Sequence, residues 1–131
     1  MTGIEEHPLS NESETYDLLQ RAQTAARAAD GKLGTDTLLI DVGPVLAVTD
    51  YFVITSGENA RQVKAIVDEI EEHVAATCGT RPVRVEGLDS LEWVLLDYGG
   101  FVVHVFLAEQ RAFYKLERLW SDCPRVPFAA A

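Results

Sequence analysis

From residue 59 to 78 apolar positions recur every three or four residues. Val63, Ile66, Val67, Ile70 and Val74 fall on one side, and Arg61, Lys64, Asp68, Glu71 and Glu72 mostly on the other. This period matches the turn of an α-helix and predicts an amphipathic one that Gly79 stops. Glu58 and Asn59 stand where acceptors meet its free amide hydrogens. Another helix is expected from Ser13, where Ser13, Glu14 and Asp17 offer a cap and first-turn acids. It would run through the stripe Tyr16, Leu19, Ala22 or Gln23, and Ala26 to Gly31. The alanines Ala22, Ala25, Ala26, Ala28 and Ala29 suit close packing on a flat surface.

The period then changes. Residues 37–42 and 51–55 are β-branched, aromatic and apolar runs of strand length, separated by Gly43-Pro44. Three further strands are expected over residues 82–86, 92–97 and 101–106. The last two flank Tyr98-Gly99-Gly100, whose glycines supply the positive backbone angles of a tight hairpin. A final helix over residues 109–119 places Ala112, Leu116 and Leu119 on one face with Phe113 and Trp120 beside it, and Pro124 and Pro127 halt regular structure. The order predicts an α/β fold, a mixed five-stranded sheet with packed helices. With 131 residues, 47% of them hydrophobic, the chain suits one domain. Residues 1–12 are expected as a flexible acidic tail, 13–121 as the domain and 122–131 as an irregular C-terminal tail.

Charge narrows the function classes. There are 21 Asp and Glu against 11 Lys and Arg, a net charge of -10. Such a field repels a polyanion and offers few cations to release its counterions, which argues against extensive direct nucleic-acid contact. Any contact with a ribonucleoprotein should run through a protein component. Cys78 and Cys123 are too few and too far apart for a disulfide scaffold or a zinc site, so a reducing compartment is expected. The opening MTGIEEHPLS lacks the cation-then-apolar pattern of a secretory signal, and no later apolar run reaches membrane-span length. A soluble, cytoplasmic protein is expected. Neither a Gly-x-Gly-x-x-Gly nor a Gly-x4-Gly-Lys-Ser/Thr loop occurs.

Four groups of residues are candidates for chemistry. Ser56-Gly57 before a helix can bind an anion through amide hydrogens, or Thr55 and Ser56 can simply cap the turn while Glu58 favours the helix dipole. Pairing Asp97 with Phe101 would set His104 opposite Val94, away from the acid. No serine or cysteine is placed as a nucleophile for that histidine, which reads better as a hydrogen-bonded sheet or interface residue. Strand alternation puts Trp93, Leu95 and Asp97 on one face and Glu92, Val94 and Leu96 on the other. Trp93 is therefore either a helix-covered core residue or an interface anchor, a role in which tryptophan excels. Arg111, Tyr114, Lys115, Arg118 and Trp120 form a basic and aromatic patch. It suits a solvated helix with a buried Trp120, a partner-binding surface, or direct RNA contact.

Several of these segments together resemble a known family. Asp50-Tyr51-Phe52-Val53-Ile54-x-Ser56-Gly57, Arg61-Gln62-Val63-x-Ala65-Ile66, Glu86-Gly87, Trp93-x-Leu95-x-Asp97-Tyr98-Gly99, Val103-His104-Val105-Phe106 and Arg111-x-x-Tyr114-x-Leu116-Glu117-x-Leu119-Trp120 are similar to the ribosomal silencing factors, or Iojap-like proteins. The similarity spans residues 14–121. It implies a nucleotidyltransferase-like fold without enzymatic activity or cofactor. The implied role is binding the large ribosomal subunit through its fourteenth ribosomal protein, which blocks small-subunit joining and lowers translation when nutrients are scarce; free members are commonly homodimers. The resemblance makes Trp93 the central anchor, with Asp97, Tyr98, His104, Arg111 and Tyr114 as further partner-binding positions and no metal site. Gly100 stands where the family usually has Asp. The competing expectation is a metal-dependent nucleotidyltransferase-like enzyme using Ser56-Gly57 with Asp50 or Asp97.

Overall fold

A computed structural model describes the backbone of residues 3–129 and the side-chain surroundings of residues 17–129. The element order is α1 (Gly3–Gly31), β1 (Thr35–Asp41), β2 (Tyr51–Gly57), α2 (Ala60–Cys78), β3 (Arg84–Glu86), β4 (Trp93–Asp97), β5 (Phe101–Leu107), α3 (Ala108–Tyr114) and α4 (Leu116–Leu119). The five strands form one sheet in the order β1-β2-β5-β4-β3. β2 and β5 pair in parallel and every other neighbour is antiparallel, so the sheet is mixed as expected.

α2 follows the apolar period closely. Val63, Ile66, Val67, Ile70 and Val74 are all fully buried, each worth about 1.5–3 kcal/mol of transfer free energy. Its N-cap is Asn59, whose side chain accepts from the Gln62 amide at 2.9 Å, and Gly79 closes it in the left-handed conformation. α1 starts at Gly3 rather than near Ser13, so Ser13 lies within the helix instead of capping it. No glycine or proline interrupts the chain between residues 9 and 30. The side chains of the expected N-terminal tail lie outside the described residues. Ala22, Ala25, Ala26 and Ala29 are fully buried, which lets α1 pack tightly on the sheet and on α2.

α1 and α2 cover one face of the sheet, filled by Leu39, Val53, Val94, Leu96, Phe101, Val103 and Val105. The opposite face carries Ile40, Phe52, Ile54 and Phe106, with Trp93 and Val102 packed alongside. Among the described residues α3, α4, Leu46 of the β1–β2 loop and Cys123 pack over that side, while Val126 and Phe128 reach the helix-covered one. Residues 121–129 form no helix or strand, but they are tied down. Arg125 bridges Ile40, the Val126 amide donates to the Leu39 carbonyl at 2.8 Å, and Cys123 is buried.

Two differences from the sequence reading shape the site. The β4–β5 hairpin turns on Gly99 and Gly100 alone, with Tyr98 and Phe101 as the flanking pair. Asp97 therefore pairs with Val102, and His104 with Leu95 instead of Val94. A one-residue change of register moves a side chain to the other face, so His104 joins the Trp93 side. Gly99 takes a positive φ of 88°, whereas Gly100 does not. Gly100 provides room instead, because a Cβ there would lie 2.5–3.2 Å from atoms of the Leu18 side chain. The expected last helix is also broken in two. Lys115 adopts the left-handed conformation (φ 52°, ψ 47°), ending α3 and starting α4, and leaves Ala112, Phe113 and Leu119 exposed rather than aligned on one buried stripe.

Candidate functional site

On β4 the alternation holds: Val94 and Leu96 are fully buried beneath the helices, while Trp93, Leu95 and Asp97 are half-buried on the other face. Trp93 sits at the start of β4 with its ring against Phe106 (centroids 4.7 Å apart) and Tyr114 of α3 (5.0 Å). Tyr114 in turn meets Phe113 edge-on at 5.0 Å, and Phe113 is 76% exposed. Beneath them, His104 on β5 packs edge-on against Phe52 at 4.7 Å.

A hydrogen bond orients the tryptophan. Its Nε1–H donates to Nδ1 of His104 at 3.1 Å. An accepting Nδ1 requires the proton of the neutral ring to sit on Nε2, which is buried with no partner among the described residues. His104 is 5% exposed, and burial pushes its pKa down to about 4. The imidazole is therefore neutral at pH 7 and serves as an acceptor for Trp93.

Further along the same face lies an open cavity of about 440 Å³. Phe52, Leu95, Val102 and His104 contribute to its wall, and Val48 and Val83 are exposed residues in its lining. Asp97 and Arg84 line the same cavity, with Arg84 Nη2 3.3 Å from Asp97 Oδ2. Asp97 also accepts from the Gly99 amide at 2.8 Å, so this acid stabilises the hairpin as well as lining the cavity. Phe113, Tyr114, Trp93, Leu95 and the cavity thus form a band of aromatic and apolar surface on a sheet face that α1 and α2 leave uncovered.

The other expected site residues lie elsewhere. Tyr98 points to the helix-covered side, 8% exposed and stacked on Phe101 at 4.5 Å; burial raises its pKa. Arg111 is also buried, at 8% exposure. It donates to the Thr35 and Asp36 carbonyls at 2.9 and 2.8 Å and to Ser56 Oγ at 3.2 Å. The basic patch therefore divides: Arg111 turns inward while Lys115 and Arg118 remain exposed. Trp120 is half-buried, edge-on to Phe52 at 5.4 Å.

Ser56-Gly57 is not laid out as an anion cradle. Ser56 is buried against Arg111 and the Thr35 carbonyl, Gly57 is buried, and Asn59 performs the capping. Asp50 precedes β2 and Ser56 is near its end, a span of about 20 Å at the usual strand rise, so the two cannot flank one small ligand. Among the described residues no three His, Cys, Asp or Glu side chains gather as metal ligands. Cys78 and Cys123 are both free thiols, and no described helix is long and apolar enough to cross a membrane. The sequence reading missed Phe52, Val102 and the loop around Val48 as parts of this face. The alternation Phe52-Ile54 and Val102-His104-Phe106 carried that signal, but it could be used only with the correct hairpin register.

Comparison with known proteins identifies the group to which the chain is similar. Residues 15–131 match the family model described as ribosomal silencing factor during starvation. The ribosomal silencing factor RsfS of Bacillus subtilis is 43% identical over 100 residues, covering 76% of this chain and 84% of that protein. The mouse protein named mitochondrial assembly of ribosomal large subunit protein 1 is 39% identical over 88 residues, 66% of this chain and 39% of its own length. A crystal structure of a Chromobacterium violaceum protein superposes with a TM-score of 0.75 at 30% identity, covering 87% of this chain and 93% of that one. The fold is thus shared with a solved structure, and the chain belongs to the ribosomal silencing factor family.

Proposed function

We propose that this chain represses translation in the cytoplasm by binding the large ribosomal subunit through its fourteenth ribosomal protein, at the face where the small subunit joins. It acts by occupying area that both require and not by catalysis. The observation that carries this reading is the half-exposed Trp93, oriented by His104 from below and braced by Tyr114, in an apolar band on the sheet face opposite α1 and α2. Tryptophan in such a setting buries a large area with little loss of rotamer freedom, the usual profile of an interface anchor. The name of the mouse relative, which refers to the large ribosomal subunit, points to the same particle.

In this reading Trp93 and Tyr114 touch the partner, Asp97 sets register at the cavity, and His104, Tyr98 and Arg111 support the surface from within. The net charge of -10 favours a basic ribosomal protein over the phosphates around it, which focuses docking. Exclusion of small subunits then follows from linkage: whatever binds the free large subunit alone shifts the joining equilibrium according to its concentration and affinity. When free, the chain pairs with a second copy, which light scattering on the purified protein checks.

Co-sedimentation with isolated large subunits tests the reading. Trp93→Ala is expected to lose binding while its far-UV circular dichroism stays like that of the parent. Undiminished sedimentation of a folded Trp93→Ala variant would remove Trp93 as the anchor.

A further inference from the structure

Arg111 is the sole buried residue of α3, and the sole buried cationic side chain among the described residues. α3 has seven residues, and its N-cap Leu107 makes no side-chain cap hydrogen bond. A helix this short does not hold itself in place and depends on tertiary anchors. Arg111 is such an anchor. Its guanidinium donates three hydrogen bonds to the β1 and β2 ends, and its Nε lies 3.5 Å from a buried Glu117 oxygen at the start of α4.

The strand end it grips is irregular. The β1–β2 register shifts between Thr35 and Leu38, and Asp36 takes a positive φ of 49°. Arg111 supplies donors for the Thr35 and Asp36 carbonyls of this stretch, a planar fork that lysine cannot reproduce. One turn further along α3, Tyr114 lies on the Trp93 ring. The hold on α3 and the bracing of Trp93 therefore belong to one short rigid unit.

We infer that Arg111 is a positioning residue for partner binding: it docks α3 on the bulged end of β1 and thereby fixes Tyr114 against Trp93, without touching the partner. This rests on the reading that the Trp93 face is the docking face. An exposed contact arginine would act independently of Tyr114; a positioning arginine acts through it.

A double-mutant cycle separates these cases. In a Trp120→Phe background, where Trp93 is the remaining tryptophan, acrylamide quenching of the free protein reports how well Trp93 is covered. Arg111→Lys is expected to raise quenching to near the level of Tyr114→Ala. Each variant is expected to weaken large-subunit binding about tenfold, and the pair no more than Tyr114→Ala alone. Unchanged quenching in Arg111→Lys would overturn the inference, as would an equal loss of affinity with and without Tyr114. Should Arg111→Lys not fold, Ser56→Ala removes one of the three hydrogen bonds and carries the same test at smaller amplitude. If Trp93→Ala binds normally, the docking reading fails, while quenching still decides whether Arg111 holds the Tyr114–Trp93 pair.

Discussion

Acidification should loosen the Trp93 face through His104. An ordinary histidine titrates near 6.5 in the unfolded chain, whereas burial holds His104 down at about 4 in the folded one. Between these values the unfolded state binds the extra proton and the folded state does not, so stability falls as pH drops through this window. The folded protein resists because an imidazolium would be desolvated and both its nitrogens would be donors, leaving Trp93 Nε1–H without its acceptor. Linkage with these two pKa values gives a loss of about 2 kcal/mol between pH 7 and pH 5, and ~3 kcal/mol by pH 4. Urea unfolding at pH 7 and pH 5 measures it. Carboxylates also titrate as pH falls, so the informative quantity is the difference between the parent and His104→Gln, which cannot titrate here. The parent should lose about 2 kcal/mol more than the variant, and Trp93 emission should shift with it. Equal losses in the two proteins would show that His104 is not held neutral by the fold.

Two further substitutions test the local geometry. Gly100→Asp displaces the end of the half-buried Leu18 side chain, which can turn aside, and should destabilise the protein by no more than about 1 kcal/mol in thermal unfolding, with Gly100→Ala less severe. Lys115→Gly relieves the left-handed backbone between α3 and α4 and should raise stability by up to about 1 kcal/mol; a loss would mean that the break is not held in that conformation.

Elements governed by local pattern were legible in the chain. α2 carries its signal in five aliphatic residues at helical spacing, with Asn59 and Gly79 marking its ends. The strand order along the chain and the mixed sheet followed from β-branched runs and turn residues, and the two faces of β4 from simple alternation. What escaped depended on contacts distant in sequence. The hairpin register is set by the closing pair Tyr98 and Phe101, and a one-residue error there hid the Trp93–His104 bond. Nothing in the propensity of Lys115 announces a break, because lysine is a good helix former; the turn is flanked by the Arg111 and Glu117 side chains, which face each other across it. Arg111 looked like a surface cation for the same reason: its acceptors, Thr35, Asp36 and Ser56, lie more than fifty residues away. The band from Phe113 to the cavity is assembled by β2, β4, β5 and α3 together, so no single segment displays it.

Steric exclusion is tested most directly by adding small subunits to large subunits saturated with this chain and following joined particles on a gradient. The account predicts that joining falls in step with occupancy by the parent protein and is restored with folded Trp93→Ala. Joined particles that still carry the chain at full occupancy would contradict it.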